Sequence, residues 1–250
     1  MKLLAIETTG PLASVAFLTE DGSLREKKSE QKLSHLQHLI PMIGALLSDC
    51  GSDINDVTHI AVSEGPGSFT GIRIGMATAK ALAQIIRVPV VPVPTLKAMA
   101  RNSSDRPGIH CPILDARRNQ IYAGAFLCGN GSPVRLLDDK AYEIEEFADA
   151  VNRIRIDGNK TIVLLGDAIP VYGEVLSGLL RGVIVEQKVI LAEEADRHQR
   201  ASSVALEAVE MIANGQMTDY LAVRPVYLRK AEAQRKLEER LSSEGVSETK

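Results

Sequence analysis

Two carboxylates end two apolar runs in the same way: Glu7 closes "LLAIE" and Asp115 closes "PILD". Acids so placed could face one another across a cleft and hold a magnesium ion with its nucleotide phosphates. Asp167, after Gly166 in "TIVLLGDA", is a third candidate. Carboxylates at strand ends also cap turns and do nothing more, and the residues leave both readings open. A second cluster, "SEGPGSFTGIRIG", sets Gly65, Gly67, Ser68, Thr70 and Gly71 between an apolar run and a small-residue helix. A loop of this kind turns backbone N–H groups and the positive end of a helix toward an anion. It is not a Walker A loop, because no Gly-Lys-Ser/Thr follows. The alternative is a tight turn at Gly65-Pro66-Gly67 that binds nothing. His35 and His38 have a metal-ligand spacing, but His59, His110 and His198 lie in unrelated segments. Solvated or capping histidines are therefore expected, and no metal. There is no Gly-x-Ser-x-Gly elbow. Cys50, Cys111 and Cys128 form no CxxC pair.

The composition narrows the classes further. With 250 residues, 45% hydrophobic, and a formal charge of -3, the chain can bury a good core and carries no net positive field for nucleic acid. There is no Trp, and four Phe and five Tyr leave few platforms for base stacking. The opening "MKLLAIETTG" is too short in apolar residues for a signal-peptide core, and no run approaches the roughly 18 apolar residues of a membrane span. A cytoplasmic protein without a membrane partner is expected.

The elements that would position these residues read β-β-(β)-α-β-α-β over the first hundred residues, with "GSLREKKSE" as a polar third strand or loop. "PILDARRNQIYAGAFL" (112–127) overlays "LLAIETTGPLASVAFL" (3–18), which indicates two related lobes. The middle of the second, "DDKAYEIEEFADAVNRI", reads as a polar connection and helix rather than a copy of the first. The expected division is a first lobe at 1–105, a second at 106–228 and a charged, disordered tail at 229–250. "SSVALEAVEMIANGQ" is a final amphipathic helix capped by Ser202 or Ser203. In the helix after the glycine loop, Gly71, Gly75, Ala79 and Ala83 recur every four residues and form a bare ridge beside Met76. In the helix before it, Leu36, Leu39 and Ile43 belong to an apolar face about half the circumference wide, more than one cover needs. These eight residues are the expected surface for a partner chain or a second copy, with the chain's own sheet as the alternative cover.

Taken together, "LLAIETTGPLASVAFL", "LSHLQHLIPMI", "AVSEGPGSFTGIRIG", "ILDARRNQIYAGAF" and "PVYLR" resemble the TsaB (YeaZ) family. The resemblance spans about Met1 to Arg229. It implies an α/β, two-lobed actin-like (ASKHA, ribonuclease H-like) duplicated fold with mixed sheets flanked by helices. It also implies a non-catalytic subunit that pairs with a TsaD-type catalytic subunit and a TsaE-type ATPase. The group moved is threonylcarbamoyl, onto the adenosine beside the tRNA anticodon. Further implications are a homodimer when the chain is alone, tRNA contact only through the complex, and no tightly bound cofactor, with binding of ATP or ADP in the complex left open. Where the catalytic relatives carry a His-x-x-x-His metal motif, this chain has Thr95 and Met99, which implies no metal centre. His35 matches a helix histidine of the family, six residues before Pro41. Working kinases of this fold carry Gly after the strand-end acid, whereas Arg117 and Arg118 follow Asp115 here. An ATP-dependent small-molecule kinase or acyl-transfer enzyme of the same fold is the alternative reading.

Overall fold

The computed structural model describes residues 1–29, 35–103, 105–129, 131–155, 161–181 and 188–229, the side chains of 35–37 excepted. Two five-stranded sheets share one topology. The first joins β1 (Leu3–Glu7), β2 (Ser14–Leu18) and β3 (Leu24–Lys28) as an antiparallel meander. To it β4 (His59–Gly65) and β5 (Val90–Pro94) are added in parallel, in the order β3-β2-β1-β4-β5. The second repeats this with β6 (Gly108–Asp115), β7 (Gln120–Cys128), β8 (Val134–Glu143), β9 (Thr161–Leu165) and β10 (Lys188–Leu191), ordered β10-β9-β6-β7-β8. This is the two-lobed actin-like architecture that the repeat and the resemblance imply.

The helices sit at matching places: α1 (His35–Asp49) and α2 (Phe69–Ile86) in the first lobe, α4 (Ile144–Arg153) and α5 (Ile169–Arg181) in the second. The second lobe is thus a full copy, contrary to the sequence reading of its middle. "DDKAYE" belongs to β8, an edge strand whose exposed, charged alternation hides its strand character.

The first sheet is covered on both faces, so all of β1 is buried and reads as a continuous apolar run. On one face lie α1 and α2. Leu39, Ile43, Leu46 and Leu47 pack with Leu4, Ile6 and Val62, and with Met76, Ala79 and Ala83 of α2. On the other face, after the short α6 (Glu194–Arg197), lies α7 (Ala201–Ala213), whose Ala201, Val204, Ala205 and Ala208 meet Leu3, Ala5, Ala61 and Val91. The strands of the first sheet end at Pro94 and those of the second begin at Gly108. Residues 201–228, however, return to the first: α7 covers it, Val90 and Thr218 exchange two backbone hydrogen bonds of 2.9 Å, and Val223 lies in its core. In the other direction, α3 (Thr95–Ala100) places Leu96, Met99 and Ala100 in the second lobe's core.

Neither expected serine caps α7. Ser14 Oγ of β2 accepts from the Ala201 amide at 2.8 Å, Ser202 bonds Glu26, and Ser203 Oγ donates to Asn102 Oδ1 at 2.7 Å. The tail at 230–250 lies outside the described residues. Among those described, no helix is long and apolar enough to cross a membrane.

Candidate functional site

The strand-end acid of the first lobe is sealed. Glu7 is 1% exposed, and Oε1 accepts from the Thr9 amide at 2.5 Å and from Thr9 Oγ1 at 2.6 Å. Ser63 Oγ of β4 donates to its other oxygen. Burial raises its pKa, and the hydrogen bonds from Ser63, Thr9 and Gly10 oppose that rise without cancelling it. Just beyond the turn, a Cβ on Gly10 would stand 2.7 Å from Gln199 Oε1, so Gln199 closes the approach a phosphate would need.

The glycine loop turns its donors inward as well. The Gly65 amide gives its proton to Thr95 Oγ1 at 3.2 Å, and the Ser68 amide to the Thr9 carbonyl at 2.8 Å. Ser68 Oγ caps α2 by accepting from the Gly71 amide at 3.2 Å, and Ser68 O takes the Ile72 amide. Gly67 packs on Thr9, where a Cβ would come within 2.7 Å of its backbone oxygen. Thr70 is exposed on the first turn of α2. Of the two readings, the geometry fits a loop clasped to the β1–β2 turn rather than an open anion cradle.

In the second lobe Asp115 and Asp167 do come together: the Asp115 amide donates to Asp167 Oδ1 at 3.0 Å. Burial raises the Asp167 pKa, the Asp115 amide opposing it. The turn after Asp115 carries Arg117, Arg118 and Asn119, all with positive φ, where working kinases have glycine. Among the described residues no hydrogen bond or ion pair joins Glu7 to Asp115, so the carboxylate pair is not assembled as a direct contact.

No three His, Cys, Asp or Glu residues cluster to hold a metal among those described. Thr95 and Met99 share one face of α3. The first clasps Gly65 and the second, 1% exposed, fills the core of the second lobe. His38 is exposed, and the side chain of His35 lies outside the described residues.

The expected partner surface needs a correction. Gly71, Gly75, Met76, Ala79 and Ala83 are buried within this chain, as are Leu39 and Ile43. A Cβ at Gly71 would stand 1.9 Å from the Thr8 carbonyl oxygen, and one at Gly75 would stand 2.3 Å from Thr8 Oγ1. The ridge exists so that the β1–β2 turn can lie against α2, and Thr8 Oγ1 donates to Gly71 O at 2.7 Å. The side chain of Leu36 lies outside the described residues.

What faces outward is the opposite side of α2. Phe69, Thr70, Arg73, Ile74, Ala77 and Thr78 line a mostly apolar groove of about 370 Å³, with Ile85 74% exposed farther along the helix. At the groove's end the Arg73 guanidinium lies 3.8 Å over the Phe69 ring, and Tyr227 packs on Phe69 with centroids 5.0 Å apart. These residues were findable from sequence: on a helix whose small residues mark one side, they are what the other side must show.

Comparison with known proteins agrees with this architecture. A family model described as TsaD, tRNA N6-adenosine threonylcarbamoyltransferase, matches residues 25–237. The chain is similar to the tRNA threonylcarbamoyladenosine biosynthesis protein TsaB of Bacillus subtilis, 30% identical over 94% of this chain and 97% of that one. It is also similar to the protein of the same name from Escherichia coli, 28% identical over 95% and 98%. Among solved structures, YeaZ from Pseudomonas aeruginosa superposes with a TM-score of 0.74 at 25% identity, covering 90% of this chain and 99% of that one. A second Pseudomonas aeruginosa structure, described as similar to peptidase YeaZ, gives 0.75 at 25% identity, covering 91% and 99%.

Proposed function

This chain belongs to the TsaB (YeaZ) family, whose Bacillus subtilis and Escherichia coli members named above are tRNA threonylcarbamoyladenosine biosynthesis proteins, and on that premise we propose that it is the non-catalytic subunit of that pathway's transferase. It pairs with a TsaD-type catalytic subunit, works with a TsaE-type ATPase, and meets tRNA only within the complex, in the cytoplasm. The observation carrying this reading is the fate of the two positions where the catalytic relatives place metal-binding histidines. Thr95 is spent on the Gly65 amide and Met99 on the core, and neither can ligate iron or zinc there. The sealed Glu7 and the inward-turned loop argue in the same direction for the chain on its own. No tightly bound cofactor is proposed; ATP or ADP binds in the assembled complex. The peptidase reading has no metal set behind it, since no three His, Cys, Asp or Glu residues cluster to hold a metal among the described residues.

The docking surface is the outer face of α2, around the Phe69–Thr78 groove and Ile85. The same face serves a second copy when the partner is absent, as a self-complementary two-fold contact. The test is reconstitution. The purified chain should co-elute with a TsaD-type subunit and raise threonylcarbamoyladenosine formation on tRNA, while showing no magnesium-dependent ATP turnover alone. ATP turnover by the isolated chain that disappears in Glu7→Ala and Asp115→Ala would replace this reading with the kinase one.

A further inference from the structure

After α7 the chain runs the length of the first lobe as a strap and ends on the second. Thr218 is bonded to Val90 at one end of the first sheet. Val223 is 2% exposed in the core, and its carbonyl accepts from Lys80 Nζ of α2 at 3.4 Å. At the other end, the Val226 amide donates to the Glu64 carbonyl at 2.8 Å. There Gly65, with φ of +120°, makes room for the strap, since a Cβ would stand 2.4 Å from the Val226 oxygen. Tyr227 then stacks on Phe69, and its hydroxyl accepts from Arg73 Nε at 3.1 Å. Two residues later, Arg229 Nη1 donates to the Ala116 carbonyl at 3.0 Å, across the junction in the second lobe.

Val226 is held by its backbone amide and Arg229 by its guanidinium, and the backbone between them spans at most about 10 Å. The side chain that sets the course of that short span is Tyr227. The turn it reaches is held by the Ala116 amide to Gln120 O at 3.0 Å, the Gln120 amide to Arg117 O at 3.2 Å, the Arg117 amide to Asp115 Oδ1 at 2.8 Å and the Asp115 amide to Asp167 Oδ1 at 3.0 Å, around three residues of positive φ. We propose that the strap couples the outer face of α2 to the Asp115–Gln120 turn of the second lobe, with Tyr227 as the sensing contact and Arg229 as the effector contact. Anything that leans on Phe69 and Arg73 thereby changes how firmly Arg229 holds that turn. The contact is internal to the chain and stands whether or not α2 is the docking face.

The experiment is amide hydrogen exchange by mass spectrometry on the full chain, comparing wild type with Tyr227→Ala, Arg229→Ala and the double variant. The expected result is exchange at peptides spanning 114–121 that is about threefold or more faster in each single variant, with β1 and β9 unchanged. The double variant should be no faster than either single one, because both cut the same connection. If Tyr227→Ala loosens the whole chain, Tyr227→Leu, which keeps an apolar contact with Phe69 but loses the hydroxyl, carries the same test. Wild-type exchange at 114–121 in the folded Tyr227 variant overturns the coupling, whatever Arg229→Ala does, as does additivity of the two effects.

Discussion

Glu207 is fully buried on α7 and accepts from Lys97 Nζ at 2.6 Å, Arg101 Nε at 2.7 Å and Ser132 Oγ at 3.1 Å. Removing one member of such a group leaves charge without compensation in a low dielectric. Glu207→Ala is therefore expected to cost about 3–5 kcal/mol, read by urea unfolding. A loss under about 1 kcal/mol would mean that water reaches the site and satisfies Arg101. Glu64 presents the reverse case. Burial, and next the Asp139 charge, push its pKa from 4.5 to about 7, with Arg135 opposing. A carboxyl raised on folding binds its proton more tightly in the native state, so its contribution is complete below pH 4.5 and is lost as pH climbs toward 7. The melting temperature should fall between pH 5 and pH 7.5, and Glu64→Gln should flatten that slope; an unchanged slope would exclude Glu64 as its source. At this scale the sequence was least legible. Glu7 stood out by type and position, but whether its neighbours open it or seal it depends on Ser63 and Gln199, which are distant in the chain.

The elements were more legible, because apolar periodicity states which residues share a face. It does not state what covers that face. The Gly71–Gly75–Ala79–Ala83 ridge was readable as a close-packing surface, and the cover proved to be Thr8 and the first sheet rather than another chain. Two substitutions one turn-face apart separate these cases. Ala79→Glu drives a carboxylate into the core, and loss of the cooperative melt is expected. Ala77→Arg sits in the outer groove, so circular dichroism and melting should stay at wild type while co-elution with the proposed TsaD-type partner falls at least about tenfold, or 1.4 kcal/mol. A folded Ala77→Arg that binds as well as wild type would move the docking face elsewhere. Glycines within helices divide in the same way. Gly75→Ala meets Thr8 Oγ1 and should cost on the order of 1–3 kcal/mol, whereas Gly44→Ala in α1, with nothing within 4 Å, should gain about 0.5–1 kcal/mol. Equal effects at the two sites in thermal melts would refute that packing account. The β8 strand escaped the sequence for a related reason: its outward edge carries charge where a central strand would carry valine.

For the molecule as a whole, the repeat of Leu3–Leu18 in Pro112–Leu127 disclosed two lobes, and the copied sheet order follows from it. What it could not disclose is the exchange of helices, since α3 and α7 lie outside the repeated stretches. With α3 in the second core and α7 on the first sheet, neither lobe is closed by its own stretch of chain. One calorimetric transition is expected for the full chain, with calorimetric and van't Hoff enthalpies equal. Residues 1–105 expressed alone should stay unfolded or aggregate, having lost the cover over Leu3, Ala5, Ala61 and Val91. Two resolved transitions, or a soluble and folded 1–105 fragment, would show that the exchange is not what holds the lobes together.

The return of α7 also sets an order of events on the ribosome. Nascent domains ordinarily close N-terminal first, at about 5–20 residues per second of synthesis. Here the β1–β5 sheet is made first and finished last, because on its second face only Ala98 of α3 is in place until α7 has been added through Ala213. At that pace the wait from the end of the first lobe is on the order of 5 to 20 s. Strands β6 to β10 with α4 and α5 emerge within that interval, so the later half can close while the earlier half still waits for its lid.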